Sequence, residues 1–407
     1  MNNKTTLNLV EIRPSPHIKG PRSVENIMRR VMYMCIILAI CFVLQYGMSA
    51  LLSIIFVTGG SLLTEYYLCK TKTQSSGLHD YSAAITGLLL ALTLPPGFPL
   101  WMGFVAGAVA IALGKGLFGG LGYNVFNPAL IGRAFAQAAF PTAISTYTPS
   151  MLPNRFLEII PSTLTLPMMA PPSLKTWLEA QQQTLTNLGN GLDAITSATP
   201  LVLWKFDFIA TPYFDLFTGL YTHSMIGVSP LLVILCGLYL ASQRCLNWKI
   251  PVSIILSAAC LAWALHSYDP SRFATPCFTV LSGGLILGAV FMATDMASSP
   301  TTPLGMWLYG ILIGFLTVMI RNFSGLPEGV MYAILFANAA TPLIEKISQR
   351  RVFGTGGSDK HMRKGATYPL HPGYISREEH SAVTPEKVIM KHKPKPEDRR
   401  KPQREEQ

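Results

Sequence analysis

The chain has 407 residues, of which 50% are hydrophobic and only 13% are charged, and its mean hydropathy is +0.35. Soluble domains carry about 25% charged residues, so this composition excludes an ordinary soluble enzyme and indicates an integral membrane protein. The net charge of +11 comes mostly from the two ends, since residues 349–407 hold 14 Lys/Arg against 8 Asp/Glu and residues 1–30 hold 6 against 2. No basic domain is present to bind nucleic acid, and we expect no nucleic-acid partner.

Ten apolar runs follow one another along the chain. They occupy about 28–46, 50–68, 82–97, 99–114, 128–147, 223–242, 249–267, 277–295, 303–320 and 327–345. A membrane-spanning helix needs roughly 20 apolar residues, and several of these runs are shorter or interrupted by Gly and Pro. The pattern therefore predicts an all-α membrane protein with about ten transmembrane helices, some of them broken or re-entrant.

The charges between the runs predict the orientation. An even number of spans places both termini on one side, and Lys and Arg concentrate there, which marks that side as cytoplasmic. The long segment 148–222 then faces outward, and it carries 3 basic residues against 5 acidic ones. Arg272 and Arg321 also fall on the outer side, where the rule does not expect them.

The two halves of the chain repeat each other. "ITGLLLALTLPPGFPLW" (85–101) in the first half has a counterpart in "SGGLILGAVFMATDMASSPTTPLGMW" (282–307) in the second. Residues 28–147 and 223–346 each hold five predicted spans, and because five is odd the two copies must be inverted in the membrane. Inverted repeats with broken helices place binding sites near the midplane, at the repeat interface.

A glycine-rich break precedes two asparagines in "GKGLFGGLGYNVFNPALIGRAF" (114–135). Non-helical backbone at membrane depth is tolerated only beside protein or a cavity. Asn124 and Asn127 there offer amide donors and acceptors that suit a flat heterocycle. The alternative is that they cap helix ends and turn the chain, as Asn-Pro sequences do. Lys115 and Arg133 are expected to be anchors at the cytoplasmic edge.

A single acid, Asp295, ends an apolar run in the second half. Because an acid near membrane depth is costly, it should be paired or solvated. It can lie on a cation path, accept a hydrogen bond from the N–H of a bound ring, or simply cap the turn "SSPTTP". The seven cysteines form no metal-ligand spacing, so we expect no metal site. No hydrolase or nucleotide-binding motif is present. Electron transfer through this chain would therefore need a cofactor such as a flavin, which requires no Cys or His ligands.

The last segment, 347–407, is polar, basic and proline-bearing. Such composition cannot bury enough apolar surface to fold alone, so we expect a largely disordered cytoplasmic tail. It either remains solvated near anionic lipid or docks to a partner subunit. Residues 1–27 form a shorter cytoplasmic segment at the other terminus.

Several long motifs, in order from about residue 10 to residue 346, resemble those of one family. They are "SPHI" (15–18), "TGLLLALTLPP" (86–96), "FGGLGYNVFNPALIGRAF" (118–135), "FMATDMASSPTTP" (291–303) and "LPEGVMYAILFANAATPLIE" (326–345). The chain resembles the D subunit of the Rnf ion-translocating electron-transport complex. It is similar, more distantly, to the B subunit of the sodium-translocating NADH:quinone reductase.

The resemblance implies a ten-helix subunit of the bacterial cytoplasmic (inner) membrane that carries FMN, esterified through its phosphate to Thr199. The family's attachment motif matches Asp193, Thr196, Ser197, Ala198 and Thr199, with Ser197 where glycine is usual. In the family a flavin transferase attaches the FMN outside the cytoplasm, which agrees with the predicted side of segment 148–222.

The resemblance also implies a non-covalent riboflavin at Asn124, Asn127 and Asp295. Val228 stands where the family usually has an acid. The implied partners are a second covalent-flavin subunit, iron–sulfur subunits and the flavin transferase. The complex would pass electrons between ferredoxin-side and NADH-side partners coupled to Na⁺ or H⁺ transport, and this chain would not be active alone.

Three alternatives stay open from the residues. The chain could be the B subunit of a sodium-translocating NADH:quinone reductase. The inverted repeat, the broken helices and Asp295 would also suit a non-redox transporter or channel. A scaffold that anchors partners through its basic tail is a third possibility.

Overall fold

The regular structure is helical throughout the part of the chain that can be described. The computed structural model describes residues 23–71, 80–146, 148, 150–152, 154–167, 169, 177, 199–219, 228–325 and 328–349, and none of these forms a strand. Residues up to Gln349 cluster as one compact unit. The predicted tail lies almost entirely outside the described residues.

The first half of the chain forms six helices within the described ranges. These are α1 (Val24–Tyr46), α2 (Met48–Thr71), α3 (Ser82–Thr93), α4 (Leu100–Ile111, continued by a π-helical turn at Ala112–Gly116), α5 (Pro128–Ala139) and α6 (Pro141–Ser145). Ser23 begins α1, since its hydroxyl accepts a hydrogen bond from the Asn26 amide. Gly47, at φ +73°, lets the chain turn directly from α1 into α2, and a side chain there would collide with the Arg155 carbonyl.

The rest of the described chain adds a 3₁₀ turn and eight further helices. These are the turn Pro161–Leu164, α7 (Pro200–Val202, continued by a π-helical turn at Leu203–Asp207), α8 (Tyr213–Thr218), α9 (Pro230–Ser242), α10 (Lys249–Tyr268), α11 (Pro276–Leu281), α12 (Leu285–Leu287, continued by a π-helical turn at Gly288–Met292), α13 (Pro303–Phe323) and α14 (Val330–Ser348). Many of these helices begin with proline, whose fixed φ and missing N–H suit the first helical position.

Five helices, α1, α2, α10, α13 and α14, are long and apolar enough to cross a membrane. Three shorter apolar helices cover Ser82–Thr93, Leu100–Gly116 and Pro230–Ser242. The predicted all-α membrane fold is confirmed. Two of the predicted runs are not continuous helices, however. Run 128–147 is divided between α5 and α6, and run 277–295 is interrupted after Leu281, where Gly283 adopts φ +65°.

The helices pack in the same way in both halves. In the first half α2 packs on α4 and α4 on α5, and in the second α10 packs on α13 and α13 on α14. The Ser61 hydroxyl donates to the Gly107 carbonyl at 3.2 Å, and the Ser257 hydroxyl donates to the Gly310 carbonyl at 3.4 Å. Gly107 and Gly310 occupy the same position, the eighth, of α4 and α13. Small residues at such crossings let two helix backbones approach closely.

Two ends of the bundle can be distinguished by their contacts. At the tail end, where α1 begins and α14 ends, Arg30 donates from Nη1 to Gln243 Oε1 at 2.7 Å. At the Thr199 end, where α1 ends, Gln45 donates from Nε2 to the Gly219 carbonyl at 3.1 Å. The functional residues predicted from the sequence are distributed between these two ends.

Candidate functional site

A first cleft, the tail-end cleft, lies where α1, α3, α9 and α12 approach the glycine-rich break after α4. It is partly open to solvent, and the empty space inside its lining, open solvent included, is about 860 Å³. Asn124, Asn127 and Asp295 all line it. The structure therefore brings together the three residues that the sequence placed in different halves of the chain.

Asn124 and Asp295 contact each other directly in this cleft. Asn124 donates from Nδ2 to Asp295 Oδ2 at 3.0 Å, and Ser298 donates from its hydroxyl to the same oxygen at 3.1 Å. Backbone amides that follow Asp295 also donate to its carboxylate. Asp295 thus caps its own turn, which was one of the three interpretations, and it also borders the cleft.

Asn127 joins the two halves through both ends of its amide. Its Oδ1 accepts a hydrogen bond from the Ala129 amide at 2.9 Å and so caps α5. Its Nδ2 donates to the Met292 carbonyl at 3.0 Å, in the π-helical turn that continues α12. The helix-cap interpretation of this asparagine is confirmed, and the same side chain also forms part of the cleft.

A buried ion pair lies at one side of the tail-end cleft. Lys115 donates from Nζ to Glu65 Oε1 at 2.6 Å and to the Ser82 hydroxyl at 2.8 Å. The Lys115 and Glu65 side chains are only 6% and 5% exposed. The expectation that Lys115 is an edge anchor is therefore wrong, because a carboxylate inside the bundle compensates its charge. Glu65 was not predicted as a site residue from the sequence, although an acid within a long apolar helix is usually paired or functional.

A second cleft, the Thr199-end cleft, encloses about 910 Å³. Thr199 lines this cleft and is 6% exposed. Its Oγ1 accepts a hydrogen bond from the Val202 amide at 3.3 Å, so Thr199 is the N-cap of α7. The other predicted motif residues, Asp193, Thr196, Ser197 and Ala198, lie outside the described residues.

Arg133 is buried in the same Thr199-end cleft. It donates from Nη2 to Glu328 Oε2 in a short ion pair. The expectation that Arg133 anchors the cytoplasmic edge is therefore wrong, because α5 carries it from the tail-end cleft toward the opposite end. Val228 also lines this cleft. Glu328 supplies a carboxylate there.

The two clefts share one wall. Four helices, α3, α5, α9 and α12, contribute residues to both of them. Along α3, Thr86 faces the tail-end cleft and Thr93 faces the Thr199-end cleft, a separation of about 10 Å at 1.5 Å per residue. Among the residues that the structure describes, no group of three His, Cys, Asp or Glu side chains could hold a metal ion.

The family comparison agrees with this architecture. The profile of the NQR2, RnfD, RnfE family matches residues 11–354. The chain belongs to this family. It is a multi-pass membrane protein, and its described helices border two clefts.

Individual relatives are similar over nearly their whole length. The chain is 35% identical over 358 residues to the D subunit of the proton-translocating ferredoxin:NAD(+) oxidoreductase complex of Clostridium ljungdahlii, with 86% of this chain and 97% of that protein covered. It is 35% identical over 352 residues to the D subunit of the Na(+)-translocating ferredoxin:NAD(+) oxidoreductase complex of Acetobacterium woodii, covering 86% and 96%. It is 33% identical over 353 residues to the D subunit of the ion-translocating oxidoreductase complex of Yersinia enterocolitica, covering 85% and 98%.

Proposed function

We propose that this chain is a flavin-carrying membrane subunit of a bacterial ion-translocating oxidoreductase complex. FMN is bound covalently to Thr199, and riboflavin occupies the tail-end cleft. The observation that carries the proposal is the pair of clefts, one beside Thr199 and one beside Asn124, Asn127 and Asp295, separated by a shared wall. The names of the relatives, which describe ferredoxin:NAD(+) oxidoreductase complexes, support the same role.

The residues around Thr199 suit a phosphate-linked flavin. Arg133 provides a guanidinium in the same cleft, and a phosphodiester carries the negative charge that such a group binds best. Gly283 and Gly284 leave part of the lining without side chains, and a methyl group on Gly284 would meet no atom within 4 Å. This leaves room for a flat three-ring system.

The tail-end cleft suits the ring of riboflavin. Asn124 and Asn127 present amides, and Asp295 presents a carboxylate, to a ring edge that contains both N–H and carbonyl groups. Apolar side chains that line the cleft, Ile85, Leu89 and Phe291, can cover the ring faces. A mostly apolar pocket with a few convergent polar groups is the usual form of a cofactor site.

Bound flavins supply one- and two-electron transfer, while the protein supplies placement and electrostatics. Here the shared wall fixes the distance between the two sites and keeps water from the space between them. We assign the Thr199 end to the outside of the cytoplasmic membrane, where a flavin transferase would act, and both termini to the cytoplasm. The implied partners are a second covalent-flavin subunit and iron–sulfur subunits, with Na⁺ or H⁺ as the transported ion.

The test is the covalent flavin of the purified full-length chain, coexpressed with a flavin transferase. We expect fluorescence on a denaturing gel and a mass increment of one FMN less water on the peptide that contains residues 191–201. Thr199→Ala should abolish both signals. The matched control is Thr165→Ala, which removes a hydroxyl from the same predicted loop. Undiminished fluorescence in Thr199→Ala would overturn the assignment.

A non-redox transporter is the second candidate, because the paired contacts Ser61–Gly107 and Ser257–Gly310 support an inverted repeat. If the chain is such a transporter, the purified protein should contain neither covalent nor extractable flavin. The B subunit of a quinone reductase is a closer alternative, since the family includes both types. Copurification of the neighbouring subunits distinguishes the two complexes.

A further inference from the structure

The two arginines that do not fit the predicted charge pattern, Arg272 and Arg321, meet in one pocket at the Thr199 end. Lys205 joins them, and the pocket encloses about 780 Å³. Among the described residues that line this basic pocket, none is acidic. The basic residues that the positive-inside rule does not expect on the outer side therefore lie together in this one pocket.

Arg321 is held firmly in this basic pocket. Its Nη1 donates to the Thr279 carbonyl at 2.6 Å and its Nη2 to the Ser282 carbonyl at 3.1 Å, at the end of α11. Arg321 is only 6% exposed, and its Nε has no acceptor within the described ranges. The carbonyls orient the guanidinium but do not neutralise it, and a buried charge needs a counter-charge.

Three acids of the described chain bear on the basic pocket, and one of them, Asp207, is exposed to solvent two residues after Lys205. The charge of Glu328 reaches Arg321, but Glu328 is already ion-paired with Arg133. Asp269 lies beside Arg272, and hydrogen bonds from Ser271 hold the pKa of Asp269 below its ordinary value, so it is a carboxylate. Asp269 is only partly covered by protein, and solvent screens its effect.

Lys205 adds a further positive charge. It donates from Nζ to the Arg321 carbonyl at 2.8 Å and to the Ser324 carbonyl. Partial burial lowers the pKa of Lys205, which shows that removal from water disfavours its charged form. Arg321 is thus the deeply buried cation of this pocket, and its side-chain partners in the described ranges are backbone carbonyls. An anion in the basic pocket would compensate its charge.

The residues around the basic pocket indicate which class of anion it binds. Trp204, Phe208 and Phe273 line it, with the Arg272 guanidinium 5.7 Å from the Phe273 ring centre. Tyr268 and Phe323, the last residues of α10 and α13, are 88% and 59% exposed. Aromatic side chains at helix ends mark the membrane–water interface. The pocket therefore opens at the depth of lipid headgroups.

We propose that the basic pocket binds the phosphate headgroup of an anionic phospholipid from the leaflet at the Thr199 end. The headgroup supplies a negative charge to the buried Arg321, and Arg272 and Lys205 line the same pocket and contact the phosphate. The acyl chains lie against the exposed apolar ends of the neighbouring helices. The site is separate from the two flavin clefts, and its occupancy does not require a flavin.

The test is native mass spectrometry of the full chain in detergent, titrated with phosphatidylglycerol or with phosphatidylcholine of the same acyl chains. We expect phosphatidylglycerol to bind preferentially. Arg272→Gln and Lys205→Gln should each weaken that binding about tenfold or more, the usual effect of losing one charge-assisted hydrogen bond. These two variants spare Arg321, whose replacement could prevent folding.

Arg155→Gln is the matched control. Arg155 belongs to the same predicted outer loop, donates to the carbonyls of Leu44 and Leu152, and lies 5.0 Å from the Phe156 ring centre. It should leave lipid binding unchanged. Equal binding of the two lipids, or unchanged binding in Arg272→Gln and Lys205→Gln, would overturn the proposal. So would displacement by an equal concentration of soluble glycerophosphoglycerol, since the pocket would then be a site for free anions.

Discussion

Lys115 and Glu65 form an ion pair of 2.6 Å inside the helix bundle, where both side chains are almost completely buried. Glu65 belongs to α2, and Lys115 belongs to the π-helical turn that continues α4. The Lys115 ammonium also donates a hydrogen bond to the hydroxyl of Ser82, the first residue of α3. The pair thus joins three elements of the first repeat beside the tail-end cleft.

Removing one member of this pair should destabilise the protein strongly. Lys115→Met leaves the Glu65 carboxylate buried without its counter-charge, and Glu65→Gln does the same to the Lys115 ammonium. Each single substitution should lower the free energy of unfolding by roughly 3–5 kcal/mol. The double variant Glu65→Leu/Lys115→Met should lose much less, because no charge remains buried. Thermal unfolding in detergent measures all three. Additive losses in the double variant would show that the two charges act independently.

The helix crossings of the two repeats should be equally sensitive to a single methyl group. A side chain on Gly107 would collide with the Val57 carbonyl, and one on Gly310 would collide with the Ser253 hydroxyl. We expect Gly107→Ala and Gly310→Ala each to cost about 1–3 kcal/mol, as overpacking does. Gly59→Ala is the control, since a methyl group there meets no atom within 4 Å. It should be neutral or slightly stabilising. A similar loss in all three variants would contradict the crossing geometry.

Asn127→Asp should separate the two functions of that side chain. Aspartate is as good an N-cap as asparagine, so α5 should still begin correctly. It cannot donate to the Met292 carbonyl, however, and its charge would repel that oxygen. We expect a folded protein that retains covalent FMN but loses riboflavin, measured by chromatography of the flavin released on denaturation. Asn247→Asp, at an exposed position, is the control. Full riboflavin content in Asn127→Asp would remove this residue from the site.

Arg133→Gln should lower the fraction of chains that carry covalent flavin, since it removes the cation in the cleft of Thr199. The variant also leaves Glu328 without its partner, so part of the loss could come from misfolding. The double variant Arg133→Gln/Glu328→Gln removes both charges and should restore stability without restoring the flavin. In-gel fluorescence normalised to protein, together with thermal unfolding, distinguishes the two effects. Full flavinylation in the double variant would show that Arg133 has no part in holding the phosphate.

Much of the fold could be predicted from the sequence. Apolar runs indicate which segments are long enough to cross a membrane, and prolines indicate where helices begin. The start of α7 is an example, since Pro200 stands at its first position, directly after Thr199, whose hydroxyl accepts a hydrogen bond from the Val202 amide. The interruptions in runs 128–147 and 277–295 were less visible. Apolar residues continue on both sides of each break, and the backbone departs from the helix at Phe140 in the first run and at Ser282, Gly283 and Gly284 in the second.

The candidate site was predicted in part. Asn124, Asn127 and Asp295 were identified because a polar residue in an apolar run is conspicuous. The predicted positions of Lys115 and Arg133 were wrong for different reasons. α4, whose continuation carries Lys115, is hydrophobic all round and does not reveal which face it turns inward. Arg133 lies on the buried face of α5, where its charge is compensated by Glu328. Their partners, Glu65 and Glu328, lie 50 and 195 residues away along the chain. Such pairing depends on how the helices are rotated against each other, which periodicity does not encode here.

The shared wall between the clefts has a consequence for genetics. Met292 contributes its carbonyl to Asn127 on one side and lines the Thr199-end cleft on the other. A missense allele at this codon would replace the side chain in the Thr199-end cleft but would keep the backbone carbonyl that Asn127 binds. Its direct effect should therefore be confined to the Thr199 end, whereas an allele at Asn127 should act on the tail-end cleft.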